Sequence, residues 1–148
     1  MIVPAQPFPL SHKLPLRLAT VHRYWKTLIR AESMMPFSDD VSLSSLERLS
    51  AHLLLIDVFS GPQRFRFNHL GKKIVTKLGT NPTGQFADEL KLAEPLNYLI
   101  AQASATVEAG APTLYCAARK KTLLNGYSRI LLPAWGNSRV DLLIGATT

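Results

Sequence analysis

The side chains in this sequence best equipped for chemistry are four histidines, one cysteine and two adjacent carboxylate pairs. A histidine metal site needs imidazoles at fixed spacing, such as His-x-x-x-His on one helix face. His12, His22, His52 and His69 offer no such pair, and each falls in a different segment. His69, beside Asn68 at the end of an alternating stretch, reads as a surface or turn residue. Cys116 lies between Tyr115 and Ala117 in a strand-like stretch, which reads as a buried structural cysteine and not as a nucleophile with a base beside it. A lone cysteine also excludes an intrachain disulfide and a cysteine-built zinc site, and it fits a reducing compartment. Asp39-Asp40 and Asp88-Glu89 fall in loop-like stretches open to water, not in the dry cleft that an acid–base pair requires. Gly79-Thr80-Asn81-Pro82-Thr83-Gly84 has the glycines of a phosphate loop but lacks its Gly-Lys-Ser/Thr ending, so it reads as a turn. These residues assemble no catalytic constellation, and the chain is expected not to be an enzyme.

Positioning any site requires a core. At 148 residues, 47% hydrophobic and 18% charged, the chain can build one domain and has no room for two full-sized ones. The formal charge of +7 favours acidic partners. The basic residues are spread along the chain, however, and only Arg119 to Lys121 form a tight run. That distribution suits a solvated basic surface better than a dedicated nucleic-acid face. The longest apolar runs, such as Leu53 to Ile56, are far too short to cross a bilayer, and the proline-studded start has no apolar stretch of signal-peptide length. A soluble, cytoplasmic protein is expected.

Residues 1–19 mix Pro4, Pro7, Pro9 and Pro15 with small and isolated basic residues and show no period, so they read as a flexible tail, with the domain proper at 20–148. From Thr20, taken as N-cap, Val21, Tyr24, Trp25, Leu28 and Ile29 recur at helical spacing opposite His22, Arg23, Lys26 and Arg30. This predicts an amphipathic helix with a basic outer face that stops before Pro36. Val41, Leu43, Leu46 and Leu49 anchor a short helical stretch. Leu53 to Val58, the Ser60-Gly61-Pro62 turn and the alternating Arg64-Phe65-Arg66-Phe67 predict an antiparallel hairpin with Phe65 and Phe67 on one face. Lys72 to Leu78 predicts a short helix closed by Gly79. The longest helix is expected over Glu94 to Glu108, on Leu96, Leu99, Ile100, Ala103 and Val107. Three strands, Thr113 to Arg119, Tyr127 to Pro133 and Val140 to Gly145, finish the chain, with turns at Asn125-Gly126 and Gly136-Asn137.

A helix, two strands, a helical crossover and three strands is an order that several α+β folds share. The residues narrow it. They are Tyr24-Trp25, Met35-Pro36 with Asp39, Leu54-Leu55-Ile56-Asp57-Val58, Arg64-Phe65-Arg66-Phe67, Leu70-Gly71, Leu78-Gly79, Thr83-Gly84, Tyr127 to Pro133 and Leu142 to Ala146. Through them the chain resembles a family of short, mostly single-domain bacterial PAS proteins over about Trp25 to Ala146. The resemblance implies a PAS fold, a five-stranded antiparallel sheet with helices on one face and an N-terminal amphipathic helix, in a role of sensing or regulated interaction. It implies no particular ligand, and the cofactor stays unknown. Flavin-linked light sensors of the PAS class carry a reactive cysteine in an Asn-Cys-Arg-type motif in the middle of the domain, which this chain lacks. Haem-binding members commonly place an axial histidine on the long middle helix, and Glu94 to Glu108 contains none.

The usual PAS ligand site lies between the sheet and the helices. Phe65, Phe67, Leu96, Leu99 and Ile100 are candidates to line it, with Tyr98 and Tyr127 as polar handles, although a filled core would use the same residues. Tyr24, Trp25, Leu28 and Ile29 are candidates either for an isologous homodimer interface or for a cap on the sheet within one chain. Two functions stand first: a small-molecule sensor signalling through protein–protein contacts, and a ligand-free dimerisation or adaptor module that docks on a signalling protein. A nucleic-acid binder is the least favoured.

Overall fold

The computed structural model describes residues 7–117 and 127–148. Helix α1 (Leu16–Thr27) leads into strands β1 (Leu53–Phe59) and β2 (Arg64–Leu70), then helices α2 (Lys72–Leu78) and α3 (Leu99–Ala109). Strands β3 (Thr113–Ala117), β4 (Tyr127–Gly136) and β5 (Arg139–Thr147) complete the chain. Short 3-10 turns at Ser38–Asp40, Leu43–His52 and Ala87–Glu89 carry it between the longer elements. The strands form one antiparallel sheet in the order β2-β1-β5-β4-β3. This is the five-stranded α+β arrangement expected from the sequence.

Strand alternation sorts the apolar side chains onto two faces. Leu54, Ile56 and Val58 of β1, with Phe65 and Phe67 of β2, Leu131 and Leu143, meet Ile74 of α2 and Leu99 and Ala103 of α3 in one core cluster. Leu53 of β1, Ile130 and Leu132 of β4, and Ile144 and Ala146 of β5 meet Leu18, Val21 and Trp25 of α1 in a second. The runs Leu53 to Val58 and Ile130 to Leu132 are continuously apolar because both sides of the sheet are covered. One close approach depends on a missing side chain. Gly71 donates its N–H to the Leu53 carbonyl at 2.8 Å, and a β-carbon there would strike the carbonyl oxygens of Ser50 and Ala51. Gly79 closes α2 with a left-handed φ of 77°, as its position predicts.

Two helix starts differ from the sequence reading. α1 begins at Leu16 instead of Thr20: Pro15 sits at its N-cap, where no N–H is needed, and its carbonyl accepts from Ala19 at 2.9 Å. The Thr20 hydroxyl, expected as the cap, donates to the Leu16 carbonyl. Leu18 thereby joins the buried stripe, and Leu10 and Leu14, within the stretch read as a tail, pack against the second cluster. The helix ends at Thr27, so Leu28 is its C-cap and Ile29 lies beyond it. α3 begins at Leu99 instead of Glu94, because residues 94–98 form turns and Tyr98 enters the helix from a left-handed φ of 59°. Arg119 at the expected end of the third strand, the basic run to Lys121 and the Asn125-Gly126 turn lie outside the described residues.

Candidate functional site

The register of β3 against β4 pairs Thr113 with Leu131, Tyr115 with Arg129 and Ala117 with Tyr127. Alternation puts all six on the sheet face that α3 covers. A guanidinium is therefore carried into the interior, and Arg129 is fully buried. Its Nε donates to Gln102 Oε1 at 2.8 Å, Nη1 to the Pro95 carbonyl at 2.8 Å and Nη2 to the Asn97 carbonyl at 3.0 Å. The Pro95 and Asn97 acceptors come from the turn before α3, where the chain has not yet entered the helix and its carbonyls are free to face inward. The Tyr115 ring lies beneath the guanidinium, 4.9 Å from its carbon.

Gln102, one turn into α3, holds the two layers together. Its Nε2 faces the Thr113 hydroxyl at 3.1 Å and the Arg129 carbonyl at 3.1 Å. Thr106, one turn further along the same face, shares a 2.6 Å hydrogen bond with the Thr113 hydroxyl. Asn97 Nδ2 donates to the Tyr115 hydroxyl at 3.2 Å. Two buried polar atoms beside this network have no hydrogen-bond partner: the Tyr127 hydroxyl and Asn97 Oδ1. Burial pushes the Tyr127 phenol up to about 12, against the downward pull of Arg129. Burial likewise brings Arg129 down to about 10, which leaves it a cation at neutral pH. The three oxygens that accept from Arg129 are all neutral, so dipoles hold its charge in a dry setting, while the carboxylate of Glu94 acts on the neighbouring Tyr127. A carboxylate, or a strongly dipolar oxygen, is the chemical complement of such a place.

Of the residues proposed to line an internal pocket, Phe65, Phe67, Leu96 and Leu99 do come together, each at most 4% exposed, in the core under α2 and α3. Tyr127 lies with Arg129. Tyr98 and Ile100 do not join them. Tyr98 is 67% exposed, turned outward by its left-handed backbone, and Ile100 falls at the solvent edge of α3. Tyr98 instead covers Tyr115 from outside, with ring centroids 5.8 Å apart.

The leading-helix candidates cap this chain's own sheet. Trp25 is buried and its Nε1 donates to the Pro133 carbonyl at 2.8 Å. The Tyr24 hydroxyl accepts from the Ser42 N–H at 2.9 Å. Leu28 and Ile29 are half-buried beyond the helix end. Cys116, read as buried, is exposed, because β3 is an edge strand and Cys116 points away from Tyr115, past the cluster that encloses Leu114. His69, read as a surface or turn residue, lies within β2 opposite Leu55, with Nε2 buried and unpaired.

Sequence reasoning missed Arg129, Gln102 and Asn97. A signal for Arg129 was present, since it occupies an inward position between Tyr127 and Leu131 of a mostly apolar strand. Gln102 and Thr106 share the inward face of α3 with Leu99 and Ala103. Asn97 carried no signal, because the turn that places it was read as helix.

Among the described residues, no three His, Cys, Asp or Glu side chains gather as a metal site, and no helix is long and apolar enough to cross a membrane. No family model and no curated protein matches the chain. Solved structures similar to it include light-oxygen-voltage domains. One, studied with a flavin analogue, is 15% identical with a TM-score of 0.49, over 72% of this chain and 82% of that one. The light-state domain of the blue-light photoreceptor Aureochrome1 is 12% identical with a TM-score of 0.44, over 73% and 88%. The Rhodobacter sphaeroides light-oxygen-voltage protein is 14% identical with a TM-score of 0.44, over 73% and 68%.

Proposed function

We propose that this chain is a cytoplasmic sensory domain of PAS type that holds a small polar molecule beside Arg129, between the sheet and α3, and passes on its occupancy through contacts with protein. The observation that supports this is a fully buried guanidinium flanked by two buried polar atoms without partners, the Tyr127 hydroxyl and Asn97 Oδ1. A ligand carboxylate would meet the charge of Arg129 and the Tyr127 O–H, and a ligand N–H or O–H would satisfy Asn97. The reading gives the chain no bond-making step. The aromatic pair Phe65 and Phe67 then serves as core, and the seat lies toward β3 and β4 rather than over the hairpin.

Native mass spectrometry of the purified protein beside a denatured control tests it. The expected result is a small molecule retained by the native protein, lost on denaturation and absent from an Arg129→Met variant that still melts cooperatively. An empty protein whose melting temperature does not move across a panel of small carboxylates would sink the sensor reading.

A second reading, a ligand-free adaptor or dimerisation module, is favoured by a separate observation. Met34, Phe37 and Trp135, exposed by 75%, 42% and 40%, line with Met35 an open apolar cleft of about 370 Å³. An empty protein that sediments as a dimer would move the reading there.

A further inference from the structure

The first 31 residues contain Lys13, Arg17, Arg23, Lys26 and Arg30 and no acid, since the first carboxylate of the sequence is Glu32. Of these, Arg30 meets Asp40, and later in the chain Arg64 meets Asp88 and Glu89 and Arg66 meets Asp57. Among the described residues, Lys13, Arg23 and Lys26 enter no ion pair. All three are exposed, and with His12, Leu14 and His22 they line a groove of about 470 Å³ between the lead-in segment and the outer side of α1. The crowding of cations is felt by His22, which burial and then Lys26 hold below its ordinary value.

We propose that this groove is a docking surface for an acidic helical segment of a partner protein. Arg23 and Lys26 stand three residues apart, so their side chains leave the same face of α1 about 4.5 Å apart along its axis. Carboxylates at i and i+3 on a partner helix repeat at that same interval, and those at i and i+4 at about 6 Å, within reach of the long Arg23 and Lys26 side chains. Leu14 supplies an apolar contact within the groove, and Lys13 closes it from the other bank. A single-stranded nucleic acid fits less well, because its bases need exposed rings to stack on, and a duplex, which needs only cations for its phosphates, is separated by the test. The exposed aromatic residues Phe37, Tyr98 and Trp135 lie outside this groove, while Trp25, the indole of α1, is buried. The groove is on the opposite side of the sheet from Arg129, so the proposal stands whether or not that interior holds a ligand.

The test is fluorescence anisotropy with a labelled amphipathic peptide carrying glutamates along one helical face. Its charge-reversed lysine counterpart and a short DNA duplex serve as the other probes. The acidic peptide should bind, and its affinity should fall about tenfold between about 50 and 200 mM salt. Arg23→Glu with Lys26→Glu should weaken binding at least about tenfold, whereas Lys91→Glu, on the far side of the sheet, should leave it unchanged. The double and the single variant both alter exposed side chains, and matching melting curves confirm that the fold is kept. No binding of the acidic peptide at about 100 µM, equal binding by the reversed variant, or tighter binding of the DNA duplex would each overturn the proposal.

Discussion

Arg129 on β4 and Gln102 on α3 are joined twice: Arg129 Nε donates to Gln102 Oε1 at 2.8 Å, and Gln102 Nε2 donates back to the Arg129 carbonyl at 3.1 Å. The pair ties the helix to the sheet through both the side chain and the backbone of one residue. It also makes the guanidinium depend on a neutral amide for its orientation.

Removing the amide should therefore cost more than removing the charge. Gln102→Ala leaves Arg129 Nε buried without an acceptor and frees the Thr113 and Arg129 carbonyl contacts, a loss of about 3 kcal/mol on the scale of hydrogen bonds to charged groups. Arg129→Met removes the charge itself, and the double variant should be more stable than Gln102→Ala alone. Urea unfolding measures all three. A Gln102→Ala protein within about 0.5 kcal/mol of the parent would contradict the arrangement.

Two glycines separate steric need from conformational need. A β-carbon at Gly71 meets two backbone carbonyls that cannot move aside, so Gly71→Ala should cost upwards of about 2 kcal/mol or yield insoluble protein. At Gly79 the space is open and only the left-handed φ of 77° resists substitution, so Gly79→Ala should cost about 1–2 kcal/mol. Equal losses at the two sites would mean that the close approach of Gly71 to the Leu43–His52 turn is wrong.

Trp25→Phe keeps most of the apolar bulk of the α1 cap but deletes the N–H that reaches the Pro133 carbonyl. Leaving that carbonyl buried and unpaired should destabilise the domain by about 1–3 kcal/mol. The near-ultraviolet circular dichroism of Trp135 should persist, because its half-exposed ring lines the cleft with Met34, Met35 and Phe37. A variant with unchanged midpoint would show that the indole hydrogen bond contributes nothing.

The legibility of this fold followed periodicity. Arg64-Phe65-Arg66-Phe67 could only be a strand with its rings inward, and Leu53 to Val58 announced a strand covered on both sides. What escaped were features set by single backbone positions. Pro15 starts α1 before its apolar stripe becomes obvious, and Tyr98 in a left-handed conformation delays α3 while the apolar pattern continues through the turn. The interior site was hidden for a related reason. Composition treats arginine as surface, and the alternation that places Arg129 in line with Tyr127 and Leu131 gains its meaning only when the register of β4 turns that line toward α3. Cys116 was misplaced because alternation tells which residues share a face, not where along an edge strand the covering layer ends.

Acid should weaken the domain before its carboxylates titrate. Burial, then Lys26, lowers His22 below the ordinary 6.5, and burial, then Arg17, Lys77 and Lys73, lowers His52. A base with a depressed folded value binds more protons when unfolded as pH drops through 6.5, so stability rises with pH in that window and is lost as pH falls below it. Asp88, held low mainly by its hydrogen bond from Arg64, contributes only where pH approaches and passes below 3.8, well separated from the histidines. The melting temperature should therefore fall between about pH 7.5 and 5, with a slope reduced in His22→Gln and reduced further when His52→Gln is added. The decline should soften in salt, since exposed cations supply part of the shift. If the doubly substituted protein keeps the parent slope, the acid sensitivity arises elsewhere, and the crowding of cations around α1 has no energetic consequence.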